Sequence, residues 1–278
     1  MNSLKLIKLN FAAKATRGAY LPPYLGNSLR GALGQSLYRR NCIRPGGDCS
    51  YCSKASTCPY SCVFKSQAQV EGLDSVPNPF VISFEWDKKN RYEAGDMLDF
   101  SITLIGTGCL WKDELIAAVG EMFQKKLSCL ALDSVTVAYE QEWSDEGQLP
   151  EVSTVAIHLK TPLVFLSSKA LVTEIDFPSF IDSVFVRIAG INDTYGETEF
   201  VLPFSLTHRK PKIISENKLE SVTIKQEKQP IVGLVGEIRF SGELTRYMPY
   251  LDLCSEIHMG KMTTRGCGRY EYTIVELT

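Results

Sequence analysis

The order in which two-residue and 3.6-residue hydrophobic periods follow one another leaves this chain few folds. Leu4, Leu6, Leu9 and Phe11 mark an opening strand. Pro22 and Pro23 then precede a helix that ends near Asn41. Its apolar residues Leu25, Leu29, Ala32, Leu33 and Leu37 fall at i, i+4, i+7, i+8 and i+12. Strands are expected over Phe80–Trp86 and Leu98–Ile105, a helix over Lys112–Leu127, and a strand over Val135–Glu142. The opposite face of the first helix carries Asn27, Gly31, Gly34 and Tyr38. Two glycines inside a helix cost about 1 kcal/mol each relative to Ala. Close approach of a backbone, a ligand or a tightly packed sheet would account for them.

The polar stretch Trp143–Pro150 suits a domain boundary, after which the order repeats more loosely. Val152–Leu159 reads as a strand, Phe177–Ala189 as a helix, and Val222–Gln226 with Ile231–Phe240 as a hairpin. A short helix over Tyr247–Ile257 and a strand over Tyr270–Val275 close the pattern. In Ile231–Phe240, Val232, Leu234, Ile238 and Phe240 share one face, and Glu237, Arg239 and Ser241 the other. Each half reads β-α-β-β-α-β, the ferredoxin-like order that RNA-recognition domains also use. The expected fold is α+β: two tandem ferredoxin-like domains, 1–146 and 147–278, with a Cys-rich insertion at 42–64 in the first and a Gly-rich loop at 258–270 in the second.

The 278 residues suffice for one large or two ordinary domains, and 44% apolar content supports a proper core. No apolar run nears the ~20 residues that span a bilayer. The start alternates through Lys5 and Lys8 without a signal-peptide core, so the cytoplasm is the expected location. The net charge of −2 hides an uneven distribution. Residues 1–65 hold ten Lys and Arg against a single acid, Asp48. That footprint suits a polyanion, although a solvated basic face would look the same. Arg17, Arg30, Arg39 and Arg40 are its candidate RNA contacts.

His258–Tyr270, HMGKMTTRGCGRY, is the most informative segment. Gly260, Gly266 and Gly268 punctuate a loop bearing Lys261, Arg265 and Arg269 and no acid. Glycines let a backbone come close, and the cations neutralise phosphates. The loop precedes a strand, so it is not a Walker loop, which opens a helix.

This segment, with GLVGEIRFSG at 233–242, Tyr247, Leu251 and Thr264, resembles the carboxyl-terminal signature of the CRISPR precursor-RNA-processing endoribonucleases. These belong to the repeat-associated mysterious protein (RAMP) superfamily. Leu29-Arg30-Gly31-Ala32, Gly34 and Leu37 resemble that family's first helix, and the stretch ending Cys58-Pro59-Tyr60 and Phe64 its Cys-rich insert. The resemblance spans roughly residues 21–64 and 231–272; between them only the element pattern agrees.

The resemblance implies binding of CRISPR repeat RNA and metal-independent cleavage of the precursor into guide units. The ribose 2′-OH attacks the adjacent phosphate and leaves a 2′,3′-cyclic phosphate. That chemistry needs a base, an acid and positive charge near the phosphorane, and histidine suits the first two roles. The family's histidine near the first helix is missing here. The three histidines are His158, a strand residue, His208, in the polar stretch THRKPK, and His258, which opens the Gly-rich loop. His258 is the best catalytic candidate, and Tyr20, Tyr24 and Lys14 could replace the missing residue, since relatives use Tyr and Lys there. The alternative is a non-catalytic RNA-binding subunit of a CRISPR effector complex. Expected partners are repeat RNA and other effector subunits, with no membrane.

Five of nine cysteines lie within 42–62: Cys42, Cys49, Cys52, Cys58 and Cys62. The Cys49-x2-Cys52 pair suits tetrahedral thiolate coordination of zinc, with Cys58 and either Cys42 or Cys62. Free thiols are the competing reading, and a cytoplasmic setting disfavours disulfides. Such a zinc would fold a loop; no cofactor is expected for catalysis.

Overall fold

A computed structural model of the chain describes residues 2–65, 76–146, 151–167, 170–202, 212–226 and 230–277. His208 and the last four residues of the 143–150 stretch lie outside them. The chain divides into two compact units, Leu4–Glu142 with Thr194–Glu197, and Met1–Ser3 with Trp143–Asp193 and Thr198–Thr278.

The first unit opens with β1 (Ser3–Ala15), the short β2 (Ala19–Tyr20), α1 (Gly26–Asn41) and α2 (Pro59–Phe64). It continues with β3 (Phe80–Phe84), β4 (Arg91–Tyr92), β5 (Met97–Ile105), α3 (Lys112–Lys125) and β6 (Leu130–Ser144). Its sheet runs β3-β5-β1-β6, so the opening strand lies inside the sheet, hydrogen-bonded on both edges. In β1, Ile7, Leu9, Phe11, Ala13 and Ala15 are buried on one face and Leu4 and Leu6 on the other, whereas Lys5, Asn10 and Lys14 are exposed. The register places Phe11 opposite Phe100 of β5, their rings stacked with centroids 5.0 Å apart. All five apolar residues of the expected helical stripe, Leu25 to Leu37, are buried.

The second unit contains β7 (Val152–Leu163), the short β8 (Leu166–Ser167) and β9 (Ala170–Leu171), and α4 (Phe177–Tyr195). Then come β10 (Ile214–Ile224), β11 (Ile231–Ser241), α5 (Met248–Ile257) and β12 (Tyr270–Leu277). The sheet order β10-β11-β7-β12 repeats the logic of the first unit, with the opening strand β7 inside. Two four-stranded sheets of the same strand order, each with its own helix pair, form a tandem ferredoxin-like α+β fold with Cys42–Cys62 inserted in the first half.

One sequence expectation fails in β11. Its pairing with β7 shifts register between Leu234 and Gly236, where φ reaches +122°. Val232, expected on the buried face with Leu234, Ile238 and Phe240, is exposed, and Ile231 and Gly233 are buried instead.

The two interior glycines of α1 differ. A Cβ on Gly34 would stand 2.9 Å from Cε1 of Phe64, so this glycine seats α2 on the helix. A Cβ on Gly31 would meet nothing within 4 Å. Gly34→Ala must push the Phe64 ring aside and is expected to cost about 1–3 kcal/mol. Gly31→Ala is expected to gain about 1 kcal/mol. Thermal melts of the two variants should move in opposite directions; a shared direction would refute the packing account.

Candidate functional site

The Gly-rich loop is built by backbone packing on β7. Gly268 donates its N–H to Pro162 O (3.0 Å), and its carbonyl accepts from Met259 N (3.0 Å). At φ +72° a Cβ there would lie 1.7 Å from Met259 O, so only glycine fits. Gly260, at φ +76°, leaves 2.7 Å between its missing Cβ and Val164 O, and Lys261 N donates to that same carbonyl (3.1 Å). Thr161 Oγ1 donates to Gly266 O (2.7 Å) and accepts from Arg269 N (3.0 Å). The glycines at 260 and 268 thus answer to the protein's own backbone.

His258 is the residue after α5, with φ 57° and ψ 157°, a region that non-glycine residues rarely occupy. Its side chain is 1% exposed, and Nδ1 lies 3.2 Å from Cys267 O. A carbonyl only accepts, so the ring carries its proton on Nδ1. Burial places the imidazole inside the loop rather than on its surface. The backbone conformation is fixed from outside by Arg187 of α4. Arg187 Nε donates to His258 O (3.3 Å), and Nη2 donates to Ile257 O and Thr263 Oγ1 (3.0 Å each). The guanidinium thereby satisfies carbonyls that the end of α5 leaves open. Sequence reasoning missed Arg187. The available signal was a lone cation, between Val186 and Ile188, in a helix otherwise rich in apolar residues.

The other catalytic candidates separate by exposure. Lys14, at the end of β1, is exposed, and Tyr20 in β2 is 78% exposed. Tyr24 is buried, its ring edge-on to Phe84 (5.2 Å) and Trp86 (6.0 Å), which makes it a core residue. His158 sits on the second sheet, between Glu237 (3.4 Å) and Thr273 (3.3 Å).

The predicted RNA-binding cations also divide. Arg39 Nε meets Glu121 at 2.9 Å, and Arg40 Nε meets Glu114 at 3.5 Å, so both tie α1 to α3. Arg269 pairs with Glu271 across 3.0 Å. Arg17 and Lys261 are exposed, Arg265 is half-buried, and Arg30 stands over the Phe64 ring at 5.2 Å.

In the insertion, Asp48 accepts from Ser50 N (3.0 Å) and Ser50 Oγ (2.6 Å), and Cys52 N donates to Cys49 O (3.1 Å). The hydrogen bonds from Ser50 hold the Asp48 carboxyl below the usual carboxylate range. This turn points Cys49 and Cys52 into a small enclosed cavity of about 20 Å³ that Cys42 and Cys58 also line. Burial, then the thiols of Cys58, Cys42 and Cys52, push the Cys49 thiol up. Cys62 instead directs its sulfur to Ser56 O (3.4 Å) and Ala55 O (3.7 Å). Among the described residues, no three or more His, Cys, Asp or Glu side chains are already drawn together tightly enough to hold a metal ion.

Comparison with known proteins follows the same division. Residues 4–151 match the AF_1859_N N-terminal domain, and residues 157–270 match CRISPR-associated endoribonuclease Cas6. The fold resembles Thermus thermophilus Cas6 (TTHB231), with a TM-score of 0.61 at 14% identity over 98% of this chain and 100% of that one. A Cas6 (TTHA0078) product complex aligns with a TM-score of 0.53 at 16% identity over 97% and 99% of the two chains. A partial Cas6-RT-Cas1–Cas2 complex aligns at 0.65 and 10% identity over 99% of this chain and 47% of that one. No curated protein matches the chain significantly. Residues 157–270 thus match the Cas6 family of CRISPR-associated endoribonucleases, and the chain as a whole shares the fold of solved Cas6 proteins.

Arg187→Met removes three hydrogen bonds from one charged group, each worth about 1.5–3 kcal/mol. The expected result is a lower melting temperature together with weaker binding of repeat RNA, partly restored in Arg187→Lys. An unchanged melt in calorimetry would show that the grip does not hold the loop.

Proposed function

We propose that this protein binds CRISPR repeat RNA and cuts the precursor into guide units without a metal, leaving a 2′,3′-cyclic phosphate and a 5′-hydroxyl. The observation that carries the reading is the Cas6 endoribonuclease match over residues 157–270, which contains the Gly-rich loop from His258 to Tyr270. In the reaction the ribose 2′-OH gives up its proton and its oxygen bonds to phosphorus. The bond from phosphorus to the 5′ oxygen breaks, and that oxygen takes up a proton. Lys14 and Tyr20 are the exposed members of the candidate set. Lys14 supplies positive charge to the phosphorane, and the Tyr20 phenol exchanges the proton. Lys261 and Arg265 contact phosphates, and His258 keeps the loop that carries them in shape. The RNA is met in the cytoplasm. A CRISPR protein partner is proposed by analogy with the relative found in a Cas6-RT-Cas1–Cas2 complex.

Under single-turnover conditions Lys14→Ala and Tyr20→Phe are each expected to slow cleavage about 10²-fold or more while binding persists. Wild-type cleavage should survive EDTA and vanish with a 2′-deoxy substitution at the cut. His258→Ala should lower stability, binding and cleavage together. The burial of His258 also favours a second reading, an RNA-holding subunit without chemistry. Wild-type protein that binds repeat RNA in EDTA and never cuts it would establish that reading instead.

We further propose that Cys42, Cys49, Cys52 and Cys58 hold one structural zinc. Four thiols around a single small cavity match the donor set of such a site, and Cys62 is turned away from it. A zinc held by these four thiolates would cross-link the insertion and fold the loop. Anaerobically purified protein is expected to carry about one zinc per chain. Cys52→Ser should lose it, while Cys62→Ser should retain it. Zinc content equal in these two variants would overturn the assignment.

A further inference from the structure

Between α1 and α2 lies an open groove of about 300 Å³, lined among others by Arg30, Gly31, Gln35, Tyr38, Tyr60 and Phe64. That volume is at the lower end of sites that take small planar molecules, about 300–1,000 Å³. Its floor is the Phe64 ring, seated over Gly34. The Tyr60 ring lies parallel to Phe64 within 8°, centroids 5.9 Å apart, and Tyr38 meets Tyr60 edge-on at 5.1 Å. The Arg30 guanidinium stands over Phe64 at 5.2 Å, and Gln35 is exposed. Aromatic faces beside a guanidinium plane form a stacking surface, and a glutamine amide both donates and accepts.

Gly31 supplies an independent observation. It lies inside α1, exposed, with no positive φ and nothing within 4 Å of where a Cβ would be. Glycine is the least favourable helix residue after proline. Neither turn geometry nor packing within the protein calls for it here, unlike Gly34. Its effect is to keep the rim of the groove open.

We propose that this groove takes one unpaired base of the bound RNA, stacked against the aromatic floor with its hydrogen-bonding edge toward Gln35. Bases splayed from single-stranded RNA are held by stacking on aromatic rings and guanidinium planes, and by hydrogen bonds to their edges. The groove also belongs to the segment with ten cations and one acid, which favours a polyanion over an acidic or neutral peptide. The inference rests on the RNA-binding reading above and adds where one base goes.

The test uses full-length protein and RNA of the CRISPR repeat from its own genome, followed by fluorescence anisotropy and thermal melting. Gly31→Leu fills the groove mouth. It is expected to weaken RNA binding about 5- to 150-fold, the range for losing one stacked base, while raising the melting temperature through better helix propensity. Gly31→Ala should weaken binding less. Gln35→Ala should relax the preference for one base at a single position of the repeat. With 2-aminopurine placed at successive positions, one site should change fluorescence on wild-type binding and stay silent with Gly31→Leu. If wild-type protein binds the RNA and both Gly31→Leu and Gln35→Ala bind it equally well, the groove assignment alone falls. If wild-type protein binds no repeat RNA, the functional reading and the groove fall together.

Discussion

Each half depends on an opening strand that is hydrogen-bonded along both edges. β1 serves β5 and β6, and β7 serves β11 and β12. A strand in that position cannot slip by one residue without turning its buried set outward, so its register is fixed and so is whatever emerges from its end. In the first half Lys14 lies next to the last residue of β1, and the exposed Tyr20 follows within six residues. In the second half the end of β7 is the anvil for the Gly-rich loop, through Thr161, Pro162 and Val164. The segments proposed to carry the chemistry in both halves therefore hang from the same end of the same strand of the repeated motif, as expected where loops carry function on a rigid frame.

The glycines separate two physical causes that a sequence cannot distinguish. Gly260 and Gly268 lie so close to the carbonyls of Val164 and Met259 that any side chain would collide. Gly34 makes room for the Phe64 ring, and Gly31 makes room for nothing in the protein. Of these four, only the last is left without an internal reason. A Gly-rich segment is thus first evidence of close packing, and it points to a ligand only after the backbone neighbours of each glycine have been accounted for.

Periodicity made the elements legible because each is set by contacts within its own stretch. The helical stripe from Leu25 to Leu37 follows from spacing alone, as did the β-α-β-β-α-β order of each half. What sequence did not reveal depends on partners far along the chain. Arg39 and Arg40 read as RNA contacts, yet their acids, Glu121 and Glu114, lie 82 and 74 residues away. Val232 is exposed although it alternates with the buried Leu234. His258 opens the Gly-rich loop in sequence, yet it is buried, with Cys267 O beside its ring and Arg187 of α4 on its carbonyl.

These pairings change what binding can rest on. Arg39, Arg40 and Arg269 each stand against a carboxylate, so part of the cationic excess of the sequence is already balanced within the fold. Exposed ion pairs of this kind contribute little to stability, about 0–1 kcal/mol, but they do lower the field that a phosphate meets. A protein of net charge −2 with a thinned cationic surface gains less from counterion release than its first 65 residues suggest. On the proposed RNA-binding reading, recognition then draws more on contacts that salt does not screen, namely shape and base stacking. That shift is consistent with an aromatic groove set beside α1, on the helix whose terminal arginines are turned toward α3.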